Sequence, residues 1–355
     1  MVPPIESLWP RLAGLPLVIE ACEYDRLHAA FSQDVERVTT HVRLIGAGVD
    51  GLGEDVSIHV EDGGSLHETQ LELPLAGEWT LASFADHLAT LDPWVEPPEW
   101  EPARRWRNWA FESAALDLAL RQAGRALHEV LGLEPRSLRF VNSLGLGEEP
   151  SIDHVRRRID RAPSVRFKLD AETSWTPELI DALAATGAVD TIDFKGHYGL
   201  EVKHPERLGA LYDQIIAAFP DACLEDPHDL SEITAKLAGH VDRVSYDAPI
   251  HDAGDIGATP LPARVVNVKP SRIGSVRELL AVYARCAAEQ RPMYGGGMGE
   301  IGVGRGQIEL LAALFHPDAP NDVAPSVFHA EDPTDALPAS PLAPRPDAVG
   351  FRWAT

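Results

Sequence analysis

Residues 165–269 contain five short apolar runs that each close on or beside a charged residue. The runs are VRFKLD (165–170), VDTID (189–193), ACLEDP (222–227), VSYD (244–247) and VVNVK (265–269). Stretches that read as helices lie between them. Alternating strands and helices are typical of a β/α barrel, whose chemistry sits at the carboxyl ends of its strands. The segment therefore predicts strands whose last residues meet at one rim.

The charged strand ends recur at the spacing of one strand and one helix. Asp193 lies 32 residues before Glu225, and Glu225 lies 22 residues before Asp247. Lys269 follows Asp247 after another 22 residues. A strand, a helix and their loops take roughly 20–30 residues. The three carboxylates thus occupy adjacent strand ends, a donor set that suits a hard divalent cation such as Mg²⁺.

Two lysines flank these carboxylates along the chain. Strand alternation puts Arg166, Lys168 and Asp170 on one face, and a polar face of a barrel strand must look into the barrel. Lys168 on the second strand and Lys269 on the sixth would then face each other across the metal. A lysine beside a dication and another lysine has a lowered pKa and can act as a base near neutral pH.

The remaining pattern predicts two regions and a tail. Residues 1–135 read as paired strands followed by helices over 81–92 and 108–132, an α+β domain. A mixed segment, Tyr24–Asp34, reads as a loop, and Gly46–Asp55 as a glycine-rich hairpin. Residues 136–330 form the barrel, and 331–355 return to the first domain or trail as a loop. Barrel strands are expected at 138–143, 164–170, 189–194, 221–226, 242–247, 264–269, 291–295 and near 322–328. Helices are expected at 151–161, 176–187, 204–219, 229–239, 252–258, 274–289 and 304–315.

The net charge and the composition of the chain argue against some classes of binding partner. The chain has 355 residues, a formal net charge of −24 and no block rich in lysine or arginine. This charge argues against nucleic acid or an anionic membrane as partner. Three cysteines at no metal-binding spacing indicate reduced thiols, and no apolar run approaches the length of a membrane span. We expect a cytoplasmic homo-oligomer that acts on a small molecule.

Several motifs together resemble the enolase superfamily, on the side of muconate lactonizing enzyme, o-succinylbenzoate synthase and mandelate racemase. RLIGAGVDGLGED resembles that family's N-terminal hairpin, and WAFESAALDLALRQAGRALHEVLG its capping-domain helix. LEDP, SYDAP, NVKPSRIGS and GGGMGEIGVGR resemble barrel strands four to seven. The resemblance implies an α/β fold, a modified TIM barrel of (β/α)7β form with an N-terminal α+β capping domain.

The resemblance also implies a chemistry. Asp193, Glu225 and Asp247 would hold Mg²⁺, with Mn²⁺ as a substitute, and Lys168 and Lys269 would be the acid and base. The reaction would remove a proton α to the carboxylate of a small substrate through an enediolate, as in this superfamily. Racemisation, epimerisation, cycloisomerisation or β-elimination could follow.

The chain departs from the family pattern at two basic positions. The usual Lys-x-Lys of the second strand is Arg166-Phe-Lys168 here, and the usual Asp-x-Asn of the third strand ends in Lys195. In an alternative register LDAETSWTPE belongs to the third strand, so that Asp170 becomes the first ligand and Asp193 replaces the family's glutamate. Met293 and Tyr294 on the seventh strand show no His-Asp dyad, which weighs against a histidine-based racemase.

Other residues are expected near the substrate or the metal. Arg166, Asp170, Lys195 and Glu300 are the main candidates, and Arg26, His28, His197 and Arg305 are further ones. By analogy with the family, the 24–34 and 46–53 segments would cover the pocket. Two rival readings stay open: a barrel that binds metal and ligand without turnover, and an aldolase-type barrel that forms a Schiff base at Lys269.

Overall fold

The computed structural model describes residues 8–30, 36–57, 64–262, 264–330 and 336–353. Its first part is an α+β unit. The strands are β1 (Pro16–Ile19), β2 (Ala21–Ala30), β3 (Glu36–Gly46), β4 (Val49–Asp55) and β5 (Gly77–Thr80). The helices are α1 (Leu8–Ala13), α2 (Leu66–Thr69), α3 (Leu81–Leu88), α4 (Ala103–Gln122) and α5 (Leu127–Leu131).

The sheet β2–β3–β4 is antiparallel, and β1 pairs antiparallel with β5. Tyr24 lies within β2, so the expectation of a loop over 24–34 was wrong for Tyr24–Ala30, whereas residues 31–34 lie outside the described residues. The expected helix over 108–132 is two helices, since Gly124 and its neighbours interrupt the run with a left-handed turn. The long helix α4 packs across β4 and β3, and its buried face forms much of the core of this unit.

The second part is a barrel of parallel strands in chain order. Its strands are β6 (Asn142–Leu144), β7 (Phe167–Asp170), β8 (Val189–Asp193), β9 (Cys223–Glu225), β10 (Val244–Tyr246), β11 (Val265–Val268) and β12 (Met293–Gly295). Its helices are α6 (Asp153–Arg161), α7 (Pro177–Ala185), α8 (Leu208–Ala218), α9 (Ser231–Leu237), α10 (Pro270–Ile273), α11 (Val276–Ala288) and α12 (Val303–Phe315). Short 3₁₀ turns cover Pro205–Arg207, Val241–Arg243 and Ser326–His329. The fold is therefore the expected (β/α)7β barrel with an N-terminal α+β cap.

Two expected barrel elements differ in the structure. The eighth strand near 322–328 is reduced to single bridges, Phe140 to Asn321 and Gly296 to Asp322, which join the first and seventh strands. The segment 252–258 forms turns instead of a helix, because Asp252 and Asp255 side chains accept backbone N–H groups of that segment. Side-chain acceptors of this kind compete with helical hydrogen bonds.

The strand register decides between the two readings of the second and third strands. Asp170 ends β7, the same strand that carries Lys168, and it pairs with Asp193 of β8. The alternative register, which moved Asp170 to the third strand, is therefore wrong. One residue is inserted in β8: Phe167 pairs with Val189 and Lys168 with Thr191.

The C-terminal residues 350–352 lie on the first unit. The Phe351 N–H and the Arg352 Nε each donate to Asp117 of α4 at 2.7 Å. Gly350 exchanges backbone hydrogen bonds with Arg125 and Leu127. Among the described residues, no helix is both long and apolar enough to cross a membrane.

Candidate active site at the barrel mouth

Five predicted residues meet at the carboxyl ends of the barrel strands. The residues are Lys168, Asp193, Glu225, Asp247 and Lys269. Each side chain comes from a different strand or from the residue directly after it, because the parallel register brings successive strand ends to one edge. All five are buried, with Lys269 the most exposed at 6%.

The ammonium of Lys168 lies between two of the carboxylates. Its Nζ is 2.5 Å from Glu225 Oε1, 3.1 Å from Asp193 Oδ2 and 3.4 Å from Asp322 Oδ2. Lys269 Nζ lies 2.7 Å from Asp247 Oδ2 on the other side. The two lysines thus bracket the three carboxylates, as their strand positions predicted.

Neutral groups complete the contacts of the carboxylates. Tyr294 donates to Glu225 Oε2 at 2.5 Å, and Asn267 donates to Glu225 Oε1 at 3.3 Å. Tyr198 donates to Asp247 Oδ2 at 2.8 Å. Tyr294, Asn267 and Tyr198 were not among the residues predicted to form the site. Tyr294 and Asn267 could have been found there, since both lie on barrel strands at positions that face inward by alternation.

Arg272 is a further cation of the site that was not among the predicted residues. Its guanidinium forms an ion pair with Asp247 Oδ1 and donates to the Tyr198 hydroxyl at 3.0 Å. Arg272 lies three residues after Lys269 on α10, which starts with a proline at its first position. Residues three apart at the start of a helix lie on the same face, so Arg272 lies on the same side as Lys269. The motif NVKPSRIGS therefore indicated that Arg272 could reach the site.

Asp226 holds the strand end that carries Asp247. Its two oxygens accept the backbone N–H groups of Asp247 at 2.7 Å and of Ala248 at 2.9 Å. Burial, with the neighbouring carboxylates, raises the pKa of Asp226 to about 7. The residue has a left-handed backbone at φ 45°, which turns the chain sharply after Glu225.

Burial and charge shift the ionisation of the cluster in opposite directions. Burial raises the pKa of Glu225 to about 8. Lys168 lowers this pKa, and the neighbouring carboxylates raise it. Burial opposes ionisation of Asp193 too, but Lys168 and Lys195 outweigh it and lower the pKa of Asp193 to about 2. Burial alone would lower the pKa of Lys168, yet the surrounding carboxylates raise it well above its usual range. The carboxylates around Lys168 therefore raise its pKa, whereas the sequence-based expectation was a lowered pKa.

Lys195 and Asp170 join the cluster, whereas Arg166 does not. Lys195 Nζ lies 2.7 Å from Asp193 Oδ2 and 3.3 Å from Asp170 Oδ1. Arg166 binds Asp190 at 2.5 Å and the Gly187 carbonyl at 2.6 Å. These partners precede the strand ends, so the side chain lies toward the opposite end of the barrel. Arg166 was expected near the substrate or the metal because it shares a face with Lys168. It precedes the first residue of β7, Phe167, and therefore does not reach the cluster at the strand ends.

The remaining candidates lie around the rim or away from it. Glu300 is buried in the loop after β12, where it accepts the Met298 N–H at 2.9 Å. Arg305 lines the same mouth, and His197 packs edge-on against Tyr246 in the loop after β8. Arg26 and His28 are exposed on β2.

The cluster opens into a mouth cavity of about 290 Å³. Its lining contains more cationic than acidic side chains: Lys168, Lys195, Lys269 and Arg305 against Asp322. A second cavity of about 380 Å³ adjoins it, with Lys195 in both linings. The second cavity adds apolar side chains, among them Leu200, Val202, Leu208 and Leu211. The arrangement suits an anionic ligand with an apolar part.

The donor set fits a divalent cation in chemistry. Asp193, Glu225 and Asp247 supply only carboxylate oxygens, the ligands that Mg²⁺ prefers, and Asp193 Oδ2 is buried without a hydrogen bond of good geometry. Among the described residues, no three acidic, histidine or cysteine side chains converge on one point. Lys168 and Lys195 lie close to Asp193 Oδ2, so a cation has to displace them to reach this oxygen.

Two family models match the chain. They are described as the N-terminal and C-terminal domains of a domain of unknown function, DUF8230, and match residues 10–130 and 134–330. The N-succinylamino acid racemase of Thermus thermophilus is 28% identical over 98% of this chain and 94% of its own length. The o-succinylbenzoate synthase of Geobacillus stearothermophilus is 26% identical over 80% of this chain and 76% of its own length.

Solved structures share the fold. The muconate cycloisomerase of Pseudomonas fluorescens superposes with a TM-score of 0.66 at 18% identity, covering 96% of this chain and 95% of that one. The dipeptide epimerase of Methylococcus capsulatus, solved with a magnesium ion, gives a TM-score of 0.62 at 18% identity over 91% and 90%. The chain belongs to the DUF8230 family and to the mandelate racemase/muconate lactonizing enzyme subgroup of the enolase superfamily.

Proposed function

We propose that this protein is a Mg²⁺-dependent enzyme that moves a proton at the carbon α to a substrate carboxylate. One observation carries the proposal: Lys168 and Lys269 enter the same mouth cavity from the second and sixth strands, with three buried carboxylates between them. Two ammonium groups on different strands of one mouth can approach a bound carbon from different sides, which proton transfer at that carbon needs.

Asp193, Glu225 and Asp247 would hold the cation. When bound, Mg²⁺ would supply the positive charge that stabilises the enediolate, as in this superfamily. It would also compete with the ammonium of Lys168 for Asp193 and Glu225. A lysine whose carboxylates are engaged elsewhere loses the interactions that now raise its pKa, and it becomes a better base.

The lining of the mouth supports a small anionic substrate. Lys195 and Arg305 lie in the lining with the two proposed acid/base lysines, and the adjoining cavity offers an apolar wall. The named relatives act on N-succinylamino acids or form o-succinylbenzoate. We therefore propose an N-acylated amino acid with an apolar side chain as the substrate class, and racemisation as the outcome.

Proton exchange in D₂O tests the reaction without knowledge of the product. N-succinyl-L-phenylalanine is incubated with the protein and Mg²⁺, and loss of the α-proton signal is followed by NMR. Lys168→Ala and Lys269→Ala should each lower the exchange rate by about 100- to 10,000-fold, since each removes a proton-transfer group. Lys236→Ala, a lysine paired with Asp213 on the outer helices, is the matched control.

Calorimetric titration of chelator-treated protein with Mg²⁺ tests the metal site. Wild type should bind, and Glu225→Gln should lose binding, because one of three anionic ligands is gone. Exchange that persists in either lysine variant would contradict its assignment. Metal binding without exchange would leave a barrel that binds without turnover, and borohydride trapping of substrate at Lys269 despite chelator would favour Schiff-base chemistry.

A further inference from the structure

Lys195 is a cation shared by two carboxylates of neighbouring strands. Its Nζ lies 2.7 Å from Asp193 Oδ2 and 3.3 Å from Asp170 Oδ1. Asp170 and Asp193 are register partners at the ends of β7 and β8. A single ammonium thus lies within reach of two acceptors, and only one of them, Asp193, is a proposed metal ligand.

The backbone of Lys195 donates a hydrogen bond to one of the two carboxylate oxygens of Asp193. The Lys195 N–H donates to Asp193 Oδ1 at 2.9 Å, which fixes that oxygen to the loop. Lys195 itself has a left-handed backbone at φ 53°, a conformation that a lysine seldom adopts. The remaining oxygen, Oδ2, is the one that both Lys168 and Lys195 contact. A divalent cation at Asp193 Oδ2 must therefore compete with these two ammonium groups.

The two lysines differ in how far they can move. Lys168 has a side-chain exposure of 1% and keeps Glu225 and Asp322 as partners without Asp193. Lys195 has an exposure of 28%, and it lines both the mouth cavity and the adjoining cavity. Asp170, at 29% exposure, lines the adjoining cavity only. Space and a counter-charge for the Lys195 ammonium therefore lie on the side away from Glu225 and Asp247.

We propose that Lys195 competes with the divalent cation for Asp193, and that Asp170 is the acceptor to which its ammonium withdraws when the cation binds. This inference rests on the proposed function, because it presumes that Asp193 is a metal ligand. Like charges a few ångströms apart repel strongly in a buried site. The affinity for the cation then depends on how readily Lys195 leaves Asp193, and Asp170 favours that departure.

The test is calorimetric titration of four chelator-treated proteins with Mg²⁺: wild type, Lys195→Gln, Asp170→Asn and the double variant. Lys195→Gln should bind about tenfold more tightly than wild type, because the competing charge is gone. Asp170→Asn should bind Mg²⁺ at least about threefold more weakly than wild type, because Lys195 has lost its alternative acceptor. The double variant should match Lys195→Gln, since Asp170 acts only through Lys195.

Lys203→Gln is the matched control. Lys203 lines the adjoining cavity and carries the same charge, so its removal should leave Mg²⁺ affinity near the wild-type value. Circular dichroism confirms that each variant is folded before titration. Equal affinity in wild type, Lys195→Gln and Lys203→Gln would overturn the role of Lys195. Additive effects in the double variant would overturn the role of Asp170.

The same titrations separate this inference from the proposed function. If neither wild type nor Lys195→Gln binds Mg²⁺ in the millimolar range, the metal assignment itself fails and the inference fails with it. If wild type binds and loses binding in Glu225→Gln, the metal assignment of the proposed function stands whatever Lys195→Gln does. Tighter binding in Lys195→Gln together with loss in Glu225→Gln supports both.

Discussion

Lys168 shows how the environment of a residue sets its chemistry. From the sequence alone, Lys168 is expected beside a metal and a second lysine, two features that lower the pKa of an ammonium. In the folded chain it touches Asp193 and Glu225, and these carboxylates raise its pKa instead. Under the proposed function, a cation bound to the same oxygens would remove this increase, and the basicity of Lys168 would then depend on metal binding.

His316 is a residue whose neutrality stabilises the fold. It is buried, and Nδ1 lies 2.6 Å from Asn321 Oδ1, where the N–H donates. Burial lowers the pKa of His316 from its ordinary 6.5 to about 4. Between these values the unfolded chain binds the extra proton, so the contribution of His316 is present above pH 6.5 and is lost as the pH falls.

The prediction is a pH-dependent difference between wild type and His316→Gln. From pH 7.5 to pH 5, the free energy of unfolding of wild type should fall by about 2 kcal/mol more than that of the variant. Urea unfolding followed by fluorescence at both pH values measures it. Parallel pH dependences would show that His316 is not held neutral in the folded state.

At the scale of elements, the glycines of β4 allow close packing against α4 and do not form the hairpin turn. Gly51 and Gly53 face α4, where an added Cβ on Gly53 would lie 1.9 Å from the Ala110 carbonyl oxygen. The hairpin turn itself uses Ala47 and Gly48, both with positive φ. The 46–53 segment therefore packs largely on α4, and the expectation that it forms a loop over the pocket was wrong.

Gly53→Ala should reduce the free energy of unfolding by about 1–3 kcal/mol, because the backbone of α4 must move to admit the methyl group. Gly14→Ala is the control, since nothing lies within 4 Å of the Cβ added there. Chemical unfolding of both variants measures the difference. A loss in Gly53→Ala no larger than in Gly14→Ala would mean that β4 and α4 have room to adjust.

The side chain of Asn321 joins the first and last strands of the barrel, where a regular eighth strand would otherwise lie. Asn321 Oδ1 accepts the Gly295 N–H at 2.7 Å, and its Nδ2 donates to the Arg139 carbonyl at 2.9 Å. It thus ties the end of β12 to the segment that leads into β6. The backbone of Asn321 also accepts the Val141 N–H at 2.8 Å. The seven-stranded sheet closes at this residue.

Asn321→Ala should destabilise the protein by about 2–4 kcal/mol, because it leaves several buried backbone groups without partners. Asp318→Ala, in the exposed turn just before, should cost less than about 1 kcal/mol. Thermal and urea unfolding compare the two. Equal losses would place the closure of the barrel in the backbone bridges and not in this side chain.

At the scale of the molecule, the cap holds the loop that borders the active site. Glu54 of β4 accepts the N–H groups of Ile301, Gly302 and Gly304 at 2.7–3.0 Å. Arg37 of β3 donates to the carbonyls of Met298 and Gly299. The loop after β12 and the first turn of α12 are thus bound by the cap, and a carboxylate at a helix N-terminus is favourable.

Glu54→Ala should therefore loosen the mouth without unfolding the barrel. Hydrogen exchange in residues 297–304 should accelerate, whereas β7 to β9 should keep their protection. Mass spectrometry of exchange measures both regions in one experiment. Glu23→Ala, an exposed glutamate on the same sheet, should change neither. Unaltered exchange in 297–304 would show that Arg37 alone secures the loop.

Local sequence determined the order of the barrel strands and of the charged residues at their ends. Short apolar runs, turn residues and helical spacing are local properties, so the positions of Lys168, Asp193, Glu225, Asp247 and Lys269 follow from them. Strand alternation did not show that Arg166 stays out of the site, because alternation fixes the face of a residue and not its position along the barrel, and Arg166 precedes β7.

Only the tertiary structure determined which charged side chains form ion pairs with each other. Lys195, two residues from Asp193, reaches it by a left-handed turn, and Arg272 reaches Asp247 from the next loop. These contacts depend on how far the neighbouring loops stand from each other once the barrel has closed at Asn321. The sequence by itself therefore determined the fold and the identity of the charged groups, and only the closed barrel determined their pairing, because Coulomb interactions depend on distances through space.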